Sequence, residues 1–409
     1  MPTDVRLSSY SLFAAMLATA GLPLYIHAPK FYVDEFGVSL ASLGIVLFGL
    51  RLLDVVQDPL LGRLAEKTRE NRSSAVAIGG VVMVGGMIAL FAIPPLFSPL
   101  IWFGVSLTLV FSAFSFLTIN FYAQGAIKAQ ALQGNGHFRL ARWRESGALI
   151  GVCAASVAPV VLGFYLNAPF QGFAIGFAVL SMAALIAMRS EWSTAGLAPS
   201  TGFRAVLNDP LARRLLIISM LNAAPVAISS TLFLFFVESR LQAPGFEGPL
   251  LLIFFLSAAL AAPFWSVCAE RFGPRNVLLF AMTLAIGSFG FTFVLGPGDW
   301  VLFALVCIAS GIALGADLTL LPAIFAARMV QISPSASEGF GLWAFASKLT
   351  LAFAAVTLLP MLERAGFQSG SIENPPEALA LLTVLYAAVP CTLKLIAIAV
   401  LAMTDLREA

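Results

Sequence analysis

The sequence predicts an all-α integral membrane protein with twelve transmembrane helices in two six-helix halves. Three observations lead to this fold class. The 409 residues are 60% hydrophobic and only 11% charged, with a mean hydropathy of +0.94, whereas soluble domains carry about 25% charged residues. The apolar residues form about twelve runs, each near the roughly 20 residues that span a bilayer. A weak repeat relates the two halves of the chain.

The apolar runs define the predicted helices in chain order. In the first half we place them at 8–28, 40–62, 74–95, 100–124, 143–165 and 170–188. In the second half we place them at 212–236, 248–268, 276–296, 300–326, 338–361 and 378–403. A polar segment, 189–211, reads as a cytoplasmic connector. We therefore expect an N-terminal half over 1–188 and a C-terminal half over 212–409.

Basic side chains set the expected orientation. Alternate loops carry most of the Lys and Arg, namely Arg63, Lys67, Arg69, Arg72, Lys128, Arg139, Arg142, Arg189, Arg204, Arg213, Arg214, Arg271, Arg275 and Arg328. The opposite loops carry Lys30, Arg240 and Arg364. By the positive-inside rule the richer loops face the cytoplasm. Both termini are thus predicted to be cytoplasmic, in a bacterial inner (or plasma) membrane.

Composition argues against catalysis and against nucleic acid as a partner. The four cysteines are scattered without C-x-x-C spacing, and His27 and His137 are too few and too far apart for a metal site. The sequence holds no constellation of nucleophile and base, and a formal net charge of +2 does not favour nucleic acid. We expect no catalytic residue, no cofactor, and a monomer that contacts membrane lipid and a small-molecule substrate.

The second predicted helix contains two carboxylates in a segment otherwise suited to lipid. Asp54 and Asp58 lie four residues apart and so share a helix face, with Arg51 one turn earlier. Like charges at this spacing repel, and a membrane interior raises the cost of each charge. The pair therefore needs a proton, a metal cation or a basic side chain to neutralise it. Asp54 lies about 12 Å inside the predicted helix end.

An internal repeat places this helix in a larger architecture. Residues 58–67 align with 262–271, half the chain length away, so that Pro, Ala and Glu coincide and Lys meets Arg. Each segment belongs to the second helix of its half. Two parallel six-helix repeats joined by a cytoplasmic loop are typical of the major facilitator superfamily.

The motifs around this helix resemble those of a known transporter family. They are Tyr32-Val33-Asp34, Gly37-Val38-Ser39, Arg51-x-x-Asp54-x-x-x-Asp58-Pro59-x-x-Gly62 and Thr68-Arg69. The pattern resembles the melibiose-type glycoside–pentoside–hexuronide:cation symporters, a branch that includes the sodium-dependent lysophosphatidylcholine symporters. Weaker similarity extends over Asn120-Phe121-Tyr122, Arg144 with Gly151, and Glu338-Gly339 leading to Lys348.

The resemblance implies a cation site and names its ligands. The helix-two aspartates of the family bind the coupling cation, which carries that role to Asp54 and Asp58. The family's amide between them falls at Gln57, and its helix-four hydroxyl falls at Ser115. Oxygen ligands of this kind suit a hard cation, so sodium at Asp54 and Asp58, or a proton, is the expected coupling ion.

Further polar residues inside spans are candidates for substrate binding or gating. The resemblance assigns the family's helix-eleven lysine to Lys348 and its helix-five arginine to Arg144. Lys348 matches Asp54 in depth, so a salt bridge between the halves is allowed, and this lysine would replace the cation when none is bound. Asp317 lies at similar depth and is expected to pair with Lys348 or contact substrate, and Lys394 to find an internal partner. The remaining candidates are Thr118, Asn120, Tyr122 and Trp343.

The resemblance implies a secondary transporter that couples a sodium or proton gradient to symport by alternating access. The family's usual cargo is a sugar or glycoside. In place of its sugar-binding acids this chain has Ala18 and Thr118, which leaves open another small organic solute or an amphiphile such as a lysolipid. A proton-driven exporter and a non-transporting membrane assembly factor are also compatible with the sequence.

Overall fold

The structure is a computed structural model that describes residues 6–130, 132, 136–192, 202–332, 336–368 and 374–404. Each predicted span corresponds to one helix or to two consecutive helices, and the described part contains no β-strand. The helices are α1 (Leu7–Thr19), α2 (Leu22–Phe36), α3 (Leu40–Lys67), α4 (Arg72–Phe91), α5 (Pro99–Ala129), α6 (Gly136–Gly163), α7 (Pro169–Met188), α8 (Phe203–Asn208), α9 (Pro210–Phe235), α10 (Glu247–Phe272), α11 (Pro274–Gly290), α12 (Trp300–Ile332), α13 (Ser337–Arg364), α14 (Pro376–Thr383) and α15 (Val389–Ala402).

Two predicted spans are interrupted helices. The span predicted over 8–28 breaks at Gly21 and continues as α2 to Phe36, because Gly21 and the following proline favour a new helix start. The last span consists of α14 and α15 joined by a π-helical turn, Val384–Ala388. Another π-helical turn, Phe236–Arg240, extends α9. The connector, predicted as a loop, contains the short helix α8.

Nine helical segments in the described part are long and apolar enough to cross a membrane. α3 is not among them although it runs for 28 residues. It carries acidic and basic side chains along much of its length, and it contains Pro59 without ending there. Ser39 caps its first turn, since the hydroxyl oxygen accepts from the Ser42 backbone nitrogen at 3.2 Å.

The helices pack as two compact units. The first unit comprises Met1–Asn208 together with Met329–Phe345, and the second comprises Asp209–Arg328 together with Ala346–Ala409. The first unit therefore includes the end of α12 and the beginning of α13. Each unit has a core of buried aromatic and aliphatic side chains.

Helices inside each unit approach closely where small residues face one another. In the first unit, a Cβ on Gly151 of α6 would lie 2.4 Å from the backbone oxygen of Ala15 in α1. In the second unit, a Cβ on Gly311 of α12 would lie 2.3 Å from the backbone oxygen of Phe254 in α10. Without a hydrophobic force between helices in lipid, such close packing supplies much of the association energy.

Arg72 connects several helices of the first unit through buried hydrogen bonds. This side chain is 1% exposed and donates to Gln124 Oε1 at 2.9 Å and to Ser337 Oγ at 3.1 Å. Gln124 in turn donates to the backbone oxygen of Glu191 at 2.6 Å, and Lys128 forms an ion pair with the Glu191 carboxylate. The network ties α4, α5 and α13 to the start of the connector.

Asp209 anchors the start of the second unit. Its carboxylate accepts two hydrogen bonds from Arg328, at 3.1 and 2.6 Å, and caps α9 through the Ala212 backbone nitrogen at 2.7 Å. Hydrogen bonding to the Arg328 guanidinium lowers the pKa of Asp209 below its ordinary value of 3.8. The bidentate pair therefore joins α12 to the first turn of α9.

Candidate functional site

The predicted carboxylate pair lies on α3 and contacts α5. Asp54 is 7% exposed and Asp58 is fully buried. Gln57 Nε2 donates to Asp54 Oδ1 at 2.7 Å, and Ser112 Oγ on α5 donates to Gln57 Oε1 at 2.9 Å. A chain of hydrogen bonds thus runs from the hydroxyl on α5 through the amide to the carboxylate. The side chain of Arg51 lies outside the described residues.

The hydroxyl in contact with Gln57 is Ser112, which was not predicted from the sequence. Ser115, the predicted cation ligand, lies one turn further along α5 and is buried. A visible signal was present in the sequence: Ser112, Ser115, Thr118 and Tyr122 follow one another at intervals of three, three and four residues. That spacing places them on one face of a helix, and this face leads from the carboxylate pair towards the other polar cluster of the first unit.

The second polar cluster of the first unit joins α5 to α6. Arg144 Nε donates to Glu145 Oε1 at 2.7 Å, and its guanidinium carbon lies 3.9 Å from the centre of the Tyr122 ring. The Tyr122 hydroxyl donates to the same Glu145 oxygen at 3.2 Å. Phe340 of α13 packs against the Tyr122 ring with centroids 5.3 Å apart. The two predicted residues, Tyr122 and Arg144, are therefore in contact, and both donate to Glu145.

Several buried polar atoms near these clusters have no hydrogen-bond partner in the described part of the chain. They are Thr118 Oγ1, Asn120 Oδ1 and Arg144 Nη2. Asn120 is fully buried and uses its amide nitrogen on the backbone oxygen of Phe116 at 2.9 Å. Buried polar atoms are ordinarily hydrogen-bonded, so these three are positions where a polar ligand would be stabilised.

The second unit contains a buried ion pair of its own. The Lys394 ammonium on α15 donates to Asp317 Oδ2 on α12 and to Asn222 Oδ1 on α9. All three residues are less than 10% exposed. The expectation that Asp317 pairs with Lys348 is therefore wrong, because Lys394 already occupies its carboxylate. Lys348 is half-buried on α13, and its pairing with Asp54 stays a prediction.

The remaining predicted residue, Trp343, lies half-buried on the part of α13 that belongs to the first unit. Among the described residues, no group of three or more His, Cys, Asp or Glu side chains is arranged to hold a metal ion.

Comparison with known proteins identifies the family. The sequence profile of the MFS/sugar transport protein family matches residues 8–408. The chain belongs to this family. A relative in Escherichia coli (strain K12), described as a putative glycoside/cation symporter, YagG, is 23% identical over 390 residues, which cover 89% of this chain and 83% of the relative. Both matches confirm the resemblance to the glycoside:cation symporters.

Solved structures support the same fold. A bacterial homologue of the iron transporter ferroportin, crystallised in an outward-facing state, superposes with a TM-score of 0.72 at 13% identity and covers 97% of this chain and 99% of its own. The Escherichia coli fucose:proton symporter FucP gives a TM-score of 0.64 at 15% identity, with 96% and 97% covered. The protein is thus an integral membrane transporter of the major facilitator fold, and its family and fold are those of transporters.

Proposed function

We propose that this transporter is a symporter that couples the inward movement of sodium or protons to the uptake of a sugar or glycoside. In this proposal the chain lies in a bacterial inner membrane with both termini in the cytoplasm. The observation that carries the proposal is the hydrogen-bond chain from Ser112 through Gln57 to the buried Asp54, beside the buried Asp58. The name of the related putative glycoside/cation symporter is consistent with it.

The cation half of the mechanism rests on α3. Two carboxylates one turn apart repel in a low dielectric, and a bound cation or proton removes that repulsion. Gln57 Nε2 now donates to Asp54 Oδ1, so its amide hydrogens and a cation compete for the same oxygen. Rotation of the amide would turn Gln57 Oε1 towards the cation, and the Ser112 hydroxyl can accept from Nε2 as readily as it donates to Oε1.

The substrate half rests on the polar face of α5 and its neighbours. From Ser112 to Tyr122 this face extends about 15 Å. Sugar hydroxyls both donate and accept hydrogen bonds, which matches an unpartnered donor at Arg144 Nη2 and an unpartnered hydroxyl at Thr118. The aromatic ring of Tyr122 offers a surface on which a sugar ring can pack.

Coupling follows if the cation and the substrate both favour the same conformation. A ligand shifts a conformational equilibrium only by its difference in affinity between the two states. The cation on α3 orders the Gln57–Ser112 chain, and Ser112 shares its helix face with the substrate contacts on α5. Alternation between outward and inward access would then carry both ligands across. In this scheme Lys348 serves as the replacement cation for Asp54, and Trp343 is a gating residue.

The substrate is best found by ligand-induced stabilisation. The purified protein would be heated with hexosides, pentosides, hexuronides, lysolipids and organic acids, each with and without sodium. Only a ligand that binds the folded state raises the unfolding temperature. We expect a glycoside to stabilise more in the presence of sodium or at lower pH. Stabilisation by lysolipids alone would overturn the glycoside assignment and favour an amphiphile carrier.

A further inference from the structure

The ion pair of the second unit lies at the end of an internal crevice. Asp317 and Lys394 line this crevice together with Ser229 and Ser310, and its volume is about 40 Å³. A second crevice of about 50 Å³ shares both serines and is also lined by Phe303 and Tyr386. At roughly 15 Å³ for each water position, each crevice has room for a few water molecules.

One oxygen of the ion pair has no hydrogen-bond partner among the described residues. Asp317 is 7% exposed, and its Oδ2 accepts from Lys394, whereas its Oδ1 has no hydrogen-bond partner among the described residues. Ser310 and Ser229 each donate their hydroxyl hydrogen to a carbonyl of their own helix. They therefore offer lone pairs to water in the crevice. A chain of waters along these acceptors would end at Asp317 Oδ1.

We propose that Asp317 is a second ion-binding site, specific for a proton and separate from Asp54 and Asp58. A hard metal cation such as calcium takes about six to eight oxygen ligands at roughly 2.3–2.6 Å. Among the described residues of this ion-pair cluster, Asp317 Oδ1 is the one oxygen left for a ligand, because Lys394 already binds Asp317 Oδ2 and Asn222 Oδ1. Ser310 is seven residues from Asp317 on α12, which is about 10 Å along the axis and too far to join it. A proton needs a single oxygen.

Protonation changes the charge balance of the second unit. The proton passes from a crevice water to Asp317 Oδ1, the carboxylate becomes a neutral acid, and the Lys394 ammonium keeps only Asn222 as a strong acceptor. A buried ammonium without a counter-charge is unfavourable in a membrane interior. The helices that carry these residues, α9, α12 and α15, must then move to give Lys394 another partner. Proton occupancy at Asp317 is in this way linked to the conformation of the second unit.

The other titratable groups around Asp317 are few in the described part of the chain. Lys394 and Cys391 of α15 line the crevice of about 40 Å³ together with Asp317. Cys307 of α12 and Tyr386 of the last span line the crevice of about 50 Å³. The segments of α9, α10 and α11 that line the crevices contribute apolar and hydroxyl side chains. Lys394 is thus the charged group whose removal tests the site most directly.

Infrared spectroscopy of the purified protein in lipid tests the site without knowledge of the substrate. On acidification, wild type should gain a carboxylic-acid carbonyl band that Asp317→Asn lacks. The double variant with Asp54→Asn and Asp58→Asn should keep that band, which separates this site from the proposed sodium or proton site on α3. Lys394→Met, which removes the neighbouring positive charge, should move the appearance of the band to higher pH.

Two outcomes would overturn the proposal. One is a band that remains unchanged in Asp317→Asn, and the other is a band whose pH dependence is the same in Lys394→Met as in wild type. A purely structural ion pair, in which Asp317 stays ionised, predicts the first of these results, and the second would show that the titrating acid does not lie beside Lys394. If Asp317→Asn fails to fold, as judged by gel filtration, Asp317→Glu takes its place: the band should shift in frequency or in pH dependence, and a band identical to that of wild type would overturn the proposal.

Discussion

Ser112 provides a sharp test of the cation site because only the structure singles it out. Replacing Ser112 by Ala removes its 2.9 Å hydrogen bond to Gln57 Oε1 and leaves that oxygen without its donor from α5. A net hydrogen bond is worth about 1 kcal/mol, which corresponds to roughly a fivefold change in a dissociation constant. After the amide rotates towards a cation, the variant would also leave the Gln57 N–H group without an acceptor, which costs more than an unpaired amide oxygen. We therefore expect the coupling cation to bind about fivefold more weakly in Ser112→Ala.

The assay is the rise in unfolding temperature as cation concentration increases, fitted to an apparent dissociation constant. Thr108→Val is the matched control, because Thr108 lies one turn before Ser112 and its hydroxyl bonds the Gly104 carbonyl of the same helix. It should bind the cation as wild type does. Unchanged affinity in Ser112→Ala, together with weakened affinity in Ser115→Ala, would refute the assignment of Ser112.

Three further predictions concern stability. Gly311→Ala should lower the unfolding temperature, because overpacking costs about 1–3 kcal/mol. Gly287→Ala is the control and should not lower it, because a Cβ at Gly287 would meet open space. Equal effects of the two variants would contradict the close approach of α12 and α10. Asp209→Asn should destabilise at neutral pH. Because the folded-state pKa of Asp209 is lowered, its stabilisation is complete above the ordinary value of 3.8 and fades as the pH falls below it. A difference in unfolding free energy between the variant and wild type that persists unchanged in acid would contradict the pair with Arg328. Arg72→Met should cost about 1–3 kcal/mol by orphaning buried acceptors, and a thermal scan matching wild type would rule out that network.

Much of the architecture was predictable because lipid imposes a simple rule. A helix must supply about 20 mostly apolar residues to cross a bilayer, so composition and run length alone located the long helices of the described part. The interruption at Gly21 was not predicted, since glycine is frequent in transmembrane helices and only the packing of α1 and α2 decides whether the helix continues. The π-helical turn at Val384–Ala388 was not predicted either, because its residues form part of a continuous apolar run.

The site was predictable where charge lies inside a helix and less so where contacts cross between helices. Asp54 and Asp58 stand out because two carboxylates in an apolar segment demand an explanation. The contact between Ser112 and Gln57 was not predicted, because only the packing of α3 against α5 shows which hydroxyl of α5 reaches the amide; the role of Ser115 as a cation ligand stays a prediction. The predicted partner of Asp317 was wrong because the sequence gives the depth of a side chain along its helix but not the direction in which that side chain points.

The central claim is that Asp54 and Asp58 hold the coupling ion. The most direct measurement is uptake of the stabilising substrate into proteoliposomes under an imposed sodium or pH gradient, compared with substrate exchange in the absence of a gradient. In Asp54→Asn and Asp58→Asn, we predict that gradient-driven accumulation is lost while exchange continues. Accumulation at the wild-type level in both variants would contradict the claim.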